Sequence, residues 1–240
     1  SMGRHEWSGF AALGAIGLVL LELVRGAPGR ALAWLAVAAV CAVLTRYWSL
    51  RHPAPMPYRL RWTLAVPRGN QSPAHLQRIL EPERGERILE IGPGVGIHSI
   101  PVALSLAPDG TPHVVDVQQE MLDDVMARAR AGGVTNITAR RGDAQTLPYR
   151  DGTFDAAYLV GVLGEIPDGQ AALRELRRVL KPSGRLVIGE VFFDPDFVRF
   201  GVLTSRAERA SFAFERRQGG AFSYLARSRG TGAHVGTDRR

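Results

Sequence analysis

RILEIGPGVGIHSI, residues 87–100, reads as a short apolar strand that runs into a glycine-rich turn and the first residues of a helix. Gly92, Gly94 and Gly96 permit positive φ and let backbone N–H groups approach a ligand with no Cβ in the way, so the segment is a nucleotide-cradling βα unit. Its spacing is selective: a dinucleotide fingerprint counted from Gly92 requires glycine at position 97, where Ile97 stands. Glu90 adds an acidic residue at the end of the strand.

Downstream, PHVVDV (112–117) is the next strand and ends at Asp116, a spacing from the glycine turn at which a carboxylate can accept from both hydroxyls of a ribose. Taken alone, Asp116 is equally a strand-end turn aspartate. A helix begins at once in QQEMLDDVMARA (118–129), with Met121 either facing a bound ring or filling core. NITARRGDAQTLPYRDGTFDAAYLV (136–160) then gives a strand, a loop and a further strand. Strands alternate with helices to about Glu190, which predicts a parallel sheet covered on both faces, with ligand at the carboxyl ends of the strands.

Glu90 followed by the GxGxG of residues 92–96 resembles motif I of the class I S-adenosylmethionine-dependent methyltransferases. Gly142-Asp143-Ala144 resembles that family's adenine site. LPYRDGTFD (147–155) and ALRELRRVLKPSGRLVIGE (172–190) resemble the subgroup containing ubiquinone and menaquinone C-methyltransferases and many small-molecule and lipid methyltransferases. The resemblance runs from about Pro57 to Arg227. It implies a doubly wound, seven-stranded Rossmann-like α/β sheet whose antiparallel seventh strand is expected at Ala221–Arg227. It also implies S-adenosylmethionine as cofactor, with S-adenosylhomocysteine as product. The cofactor residues it implies are Glu90, Gly92, Gly94, Gly96, Asp116, Val117, Met121, Asp143, Ala144 and Val160. Asp143 would accept from the exocyclic amine while the Ala144 N–H meets a ring nitrogen.

The turn VGVLGEIPD (160–168) faces the methyl group in that fold and contains Glu165, the candidate catalytic residue, which either orients substrate and serves as base or caps the following helix. His98 is expected to pack in the first helical turn. Tyr58, Trp62 and Tyr149 are candidates for the substrate mouth, with ordinary core as the alternative. No metal set is present, since the lone Cys41 lies in an apolar run and makes no Cys/His cluster.

Upstream, residues 8–24 and 31–44 are apolar runs separated by RGAPGR (25–30). Each approaches the roughly 17–20 residues that span a hydrocarbon core, and the pair reads as an N-terminal transmembrane helical hairpin, with helices at about 8–24 and 31–48; a hairpin that packs on the soluble domain, dimerises or enters only one leaflet is the alternative. Trp7, Tyr47 and Trp48 would share one interface, and Gly14, Gly17, Ala36 and Ala39 would let the helices approach. Arg4, Arg46, Arg51, Arg59 and Arg61 on one side, against Arg25 and Arg30 in the turn, put the rest of the chain in the cytoplasm. Glu22 either snorkels or pairs with Arg25. Ser1 ahead of Met2 is read as a cloning remnant.

The expected organisation is therefore a hairpin over 1–52, a linker and amphipathic entry segment over 53–72, the catalytic domain over 73–228 and a flexible tail over 229–240. The net charge of +7 rests on arginine, with Lys181 the one lysine, and no aromatic-studded basic stripe marks a nucleic-acid surface. The bilayer and a small-molecule or lipid substrate are the expected partners, nucleic acid is not, and the hairpin offers a route to self-association. The predicted function is methyl transfer to a membrane-associated lipid, quinone or small amphiphile. A membrane-tethered enzyme for a soluble metabolite and a non-catalytic binding module of the same fold are the alternatives.

Overall fold

The computed structural model describes residue 15 and residues 17–60 and 69–232. The chain divides into two compact units, Ser1–Ala54 and Pro55–Arg240.

In the first unit, residues 17–24 are helical and the chain turns at 25–27, where the N–H of Ala27 donates to the carbonyl of Glu22 at 2.9 Å. Helix α1, Pro28–Arg51, begins with proline in its first turn and continues to His52. It starts ahead of the expected 31–48, because proline at the first helical position has no N–H to leave unpaired, and runs three residues past it. α1 is one helix long and apolar enough to cross a membrane, judged by length and composition. Leu32, Leu35, Val37, Val40, Val43 and Leu44 stand exposed along it. Glu22 is buried and pairs with Arg30 at 3.0 Å, with Arg25 farther away at 3.8 Å. The expected first helix at 8–24, Trp7 and Gly14 fall wholly or partly outside the described residues.

The second unit is built on a seven-stranded sheet of order β3-β2-β1-β4-β5-β7-β6. The strands are β1 Arg87–Ile91, β2 Thr111–Asp116, β3 Thr138–Arg141, β4 Phe154–Val160, β5 Leu180–Val191, β6 Phe212–Gly219 and β7 Ser223–Gly230. β1 to β5 run parallel, and β7 lies antiparallel between β5 and β6. The expected seventh strand is thus displaced: Ala221 and Phe222 belong to the tight β6–β7 connection, and the strand continues past Arg227 to Gly230.

Side chains alternate across the parallel strands. One face buries Leu89, Ile91, Leu159 and Ile188 under α5 (Gly169–Val179) and α6 (Phe200–Arg209), through Leu173, Leu176 and Leu203. The other buries Ile88, Tyr158, Val187 and Leu225 under α2 (Pro73–Leu80) and α3 (Ser99–Leu106), while Val114 meets Val125 of α4 (Gln119–Ala131). From β1 the chain winds outward through β2 and β3, then returns to place β4 on the other side of β1. That reversal opens a crevice at the carboxyl ends of β1 and β4, where ligands bind in sheets of this kind.

Candidate active site

The turn after β1 and the turn after β4 meet across this crevice. A Cβ on Gly92, which has φ +65°, would lie 2.5 Å from a methyl of Val162, so glycine alone allows the two turns this approach. Gly164, in the second turn, packs just as closely on the loop behind it, since its Cβ would fall 1.9 Å from the carbonyl oxygen of Asp196. The result is a cavity of about 570 Å³. Glu90, Gly92, Gly94, Asp116, Val117, Met121, Asp143, Ala144, Val160 and Glu165 all line it.

Gly96 does not. It closes the turn at φ +81°, and a Cβ there would meet the Val125 side chain of α4 at 3.4 Å, an ordinary contact. Its expected part in the cofactor turn is thus through the positive-φ backbone that shapes the turn. Tyr149 is likewise no part of the mouth: its ring packs edge-on against Phe154 and His113 in the core. His98 sits at the start of α3 and also faces the cavity. Trp62 lies outside the described residues.

The four carboxylates differ in their surroundings. Glu90 is 2% exposed and accepts from the Ser99 hydroxyl at 2.5 Å, which ties the end of β1 to the start of α3. Burial pushes its carboxyl up to about 7, the nearby charge of Asp116 adding to the rise and the Ser99 bond opposing it. Asp116 accepts from the Gln118 N–H at 2.8 Å and is raised by burial, less strongly opposed by backbone N–H groups. Asp143 accepts from the N–H of Gln145 at 2.8 Å and from its side-chain amide at 2.9 Å, so a ligand amine at Asp143 must share the carboxylate with Gln145 or displace that amide. Glu165 is raised well above the ordinary carboxyl range, first by burial and then by the charge of Asp194, with Asp196 and Asp116 adding to it.

A strap that the motifs do not contain crosses the site. The Met56 N–H donates to Glu165 Oε2 at 3.1 Å, the Gln118 side-chain amide donates to the Met56 carbonyl at 2.9 Å, and the Tyr58 hydroxyl donates to Asp124 at 3.1 Å. Pro55, Met56, Gln71 and Ser72 thereby join the cavity wall from ahead of the glycine turn. Proline-rich composition at 53–57 marked a linker, and nothing local in it signals contact with Glu165.

Among the described lining residues there are Glu90, Asp116, Asp143 and Glu165 and no lysine or arginine. Such a wall suits a ligand that is cationic and carries amine and hydroxyl donors. S-Adenosylmethionine, with its sulfonium, ammonium, ribose and adenine amine, matches this donor set.

Residues 89–188 match a family model described as a methyltransferase domain. A demethylmenaquinone methyltransferase from Clavibacter sepedonicus is 38% identical over 120 residues, covering 49% of this chain and 46% of its own. The chain spans less than half the length of the curated relatives it matches. In fold it is similar to a SAM-dependent methyltransferase from Aquifex aeolicus, with TM-score 0.67 at 18% identity over 73% of this chain and 99% of that one. It is also similar to the [4+2]-cyclase SpnF, with TM-score 0.62 at 18% identity over 80% of this chain and 93% of that one.

Proposed function

We propose that this chain, whose residues 89–188 match a methyltransferase domain, is a class I S-adenosylmethionine-dependent methyltransferase resembling the quinone methyltransferases, and that it transfers a methyl group to a small membrane-associated amphiphile such as a lipid or quinone. The observation that carries this reading is the cavity at the β1/β4 crevice, whose described lining bears four carboxylates and no lysine or arginine.

In this reading Asp116 holds the ribose hydroxyls, and Asp143 and Ala144 hold the adenine edge, with Val117 and Met121 against the ring. Gly92 and Gly94 present backbone at the amino-acid end, beside Glu90, and Val160 continues the wall toward Glu165. The cofactor supplies an activated methyl on a good leaving group, so the protein has to hold the acceptor in line, exclude water and move a proton where the acceptor carries one. Glu165 suits the last task. Burial and the Asp194 charge make it hold its proton to higher pH than an ordinary glutamate, and once ionised it is a stronger base. The strap through Met56 closes the cavity over Glu165 and fixes that carboxyl by a backbone N–H.

The first unit is read as the membrane anchor, a helical hairpin that keeps the catalytic domain on the cytoplasmic face. At 1.5 Å per residue the 24 residues of α1 extend about 36 Å, enough for a hydrocarbon core about 30 Å thick. Exposed leucines and valines along its length and half-exposed Tyr47 and Trp48 in its last turns fit that environment. The similarity to SpnF sustains one second reading, that this fold holds its ligand for a reaction other than methyl transfer.

Tritiated S-adenosylmethionine given to the full chain in native membranes separates the readings. Label in the lipid extract is the expected result. Label only in the aqueous extract would indicate a soluble metabolite, and binding of the cofactor by calorimetry with no label transferred would favour the second reading.

A further inference from the structure

Six of the chain's nine phenylalanines, Phe192, Phe193, Phe197, Phe200, Phe214 and Phe222, are linked through edge-on ring contacts, with Tyr224 completing the chain, from the carboxyl end of β5 back onto β6. Most of this cluster is not core. Phe193 is 91% exposed and Phe222 67%, with Phe192 and Phe214 half-exposed. A contiguous group of exposed aromatic rings forfeits the burial that ordinarily places phenylalanine inside, and marks an interaction surface.

The two most exposed rings stand at the tips of adjoining turns. Phe193 lies in the turn that leaves β5 and Phe222 in the β6–β7 connection, and the Phe192 N–H donates to the Phe222 carbonyl at 2.7 Å, which ties the turns together. Because β7 runs antiparallel to β5, both turns lie at the carboxyl edge of the parallel strands, the edge that carries the crevice and Glu165. Arg199 and Arg217 flank a cavity of about 330 Å³ among these rings, and its described lining holds no carboxylate. The Arg217 guanidinium lies 4.5 Å over the Phe200 ring. Arg216, Arg227 and Arg229 on the same strands pair with Glu81 and Glu215, whereas no ion pair among the described residues takes up Arg199 or Arg217.

We infer that this aromatic and arginine tip is a docking surface for an anionic bilayer, the phenylalanines entering the boundary between head groups and acyl chains while the two arginines meet lipid phosphates. Charge and shape together select this occupant. Rings at the apex of two turns can enter a soft interface where apolar and anionic groups are present side by side; a protein partner would need a concave apolar surface bearing carboxylates of its own. The docking stands on this surface alone, and only its use in bringing the crevice to a membrane-borne acceptor rests on the methyltransferase reading.

The test reconstitutes the full chain, carrying Cys41→Ala and a nitroxide attached through Ala221→Cys, into nanodiscs of phosphatidylcholine alone or with an equal part of phosphatidylglycerol. Collision rates with oxygen and with a nickel chelate report immersion of the label. An immersed population is expected in the anionic discs and is much reduced in neutral discs and at high salt. A nitroxide placed instead at Ala131, exposed at the far end of α4, should stay in water. Arg199→Gln and Arg217→Gln should each lower the ratio of immersed to exposed label about fivefold. Phe193→Ser combined with Phe222→Ser should abolish immersion at an unchanged thermal midpoint and unchanged S-adenosylmethionine affinity, since neither side chain belongs to the core or to the wall of the crevice.

A label at 221 that stays in water in the anionic discs, equal immersion in neutral discs, or immersion that survives the double serine substitution would each overturn the inference. Dipolar broadening between labelled copies in place of immersion would assign the surface to self-association and overturn it as well. Failure of the methyltransferase reading shows elsewhere, as a wild type that does not bind S-adenosylmethionine while the label at 221 is still immersed.

Discussion

Glu90→Gln isolates the electrostatic cost that the cavity stores in the absence of ligand. Burial lifts the Glu90 carboxyl from 4.5 to about 7, so the folded protein holds this proton more tightly than the unfolded chain. The stability contributed by the protonated form is complete below the unfolded value and is lost as pH rises through the folded one. A difference of about 2.5 units at 1.36 kcal/mol per unit amounts to about 3 kcal/mol of destabilisation in the wild type by pH 8. Glutamine keeps the shape and an oxygen for the Ser99 hydroxyl but cannot ionise. Urea melts followed by circular dichroism from pH 4 to 8 should therefore show the variant gaining on the wild type across that window, by about 3 kcal/mol in all.

Cofactor binding should respond in the opposite sense. A cation in the cavity favours the carboxylate, so wild-type affinity for S-adenosylmethionine should rise with pH through about 7 and that of the variant should stay flat. Stability curves that remain parallel over the whole range would refute the assignment of a buried, proton-holding Glu90.

Three further outcomes follow from other parts of the chain. Asp116→Ala should weaken S-adenosylmethionine binding by roughly 1–3 kcal/mol through lost charge-assisted hydrogen bonds, and unchanged calorimetric affinity would remove Asp116 from the ribose role. Gly164→Ala should destabilise the protein by about 1–3 kcal/mol, because the new methyl meets backbone at Asp196 and no side chain can give way; an unaltered denaturation midpoint would count against the tight contact between the Glu165 turn and its supporting loop. The wild-type chain should stay with membranes after alkaline carbonate. Arginine at both Leu35 and Val40 of α1, at a cost of about 2.5–3.5 kcal/mol per residue in mid-membrane, should release it; a pellet unchanged by both arginines would argue against α1 as a span.

What could be read from the amino-acid string was whatever one strand and its adjoining turn dictate locally. Gly92 and Gly94 are legible because a turn at positive φ favours glycine, and Asp116 because the next parallel strand places its end beside that turn. Gly96 belongs to the same motif, and its φ of +81° favours glycine by itself, since a Cβ there would make only an ordinary contact with Val125. The seventh strand, by contrast, slipped. Its start is set by register against β5, where Val191 faces Ser223, and not by where its own apolar run begins.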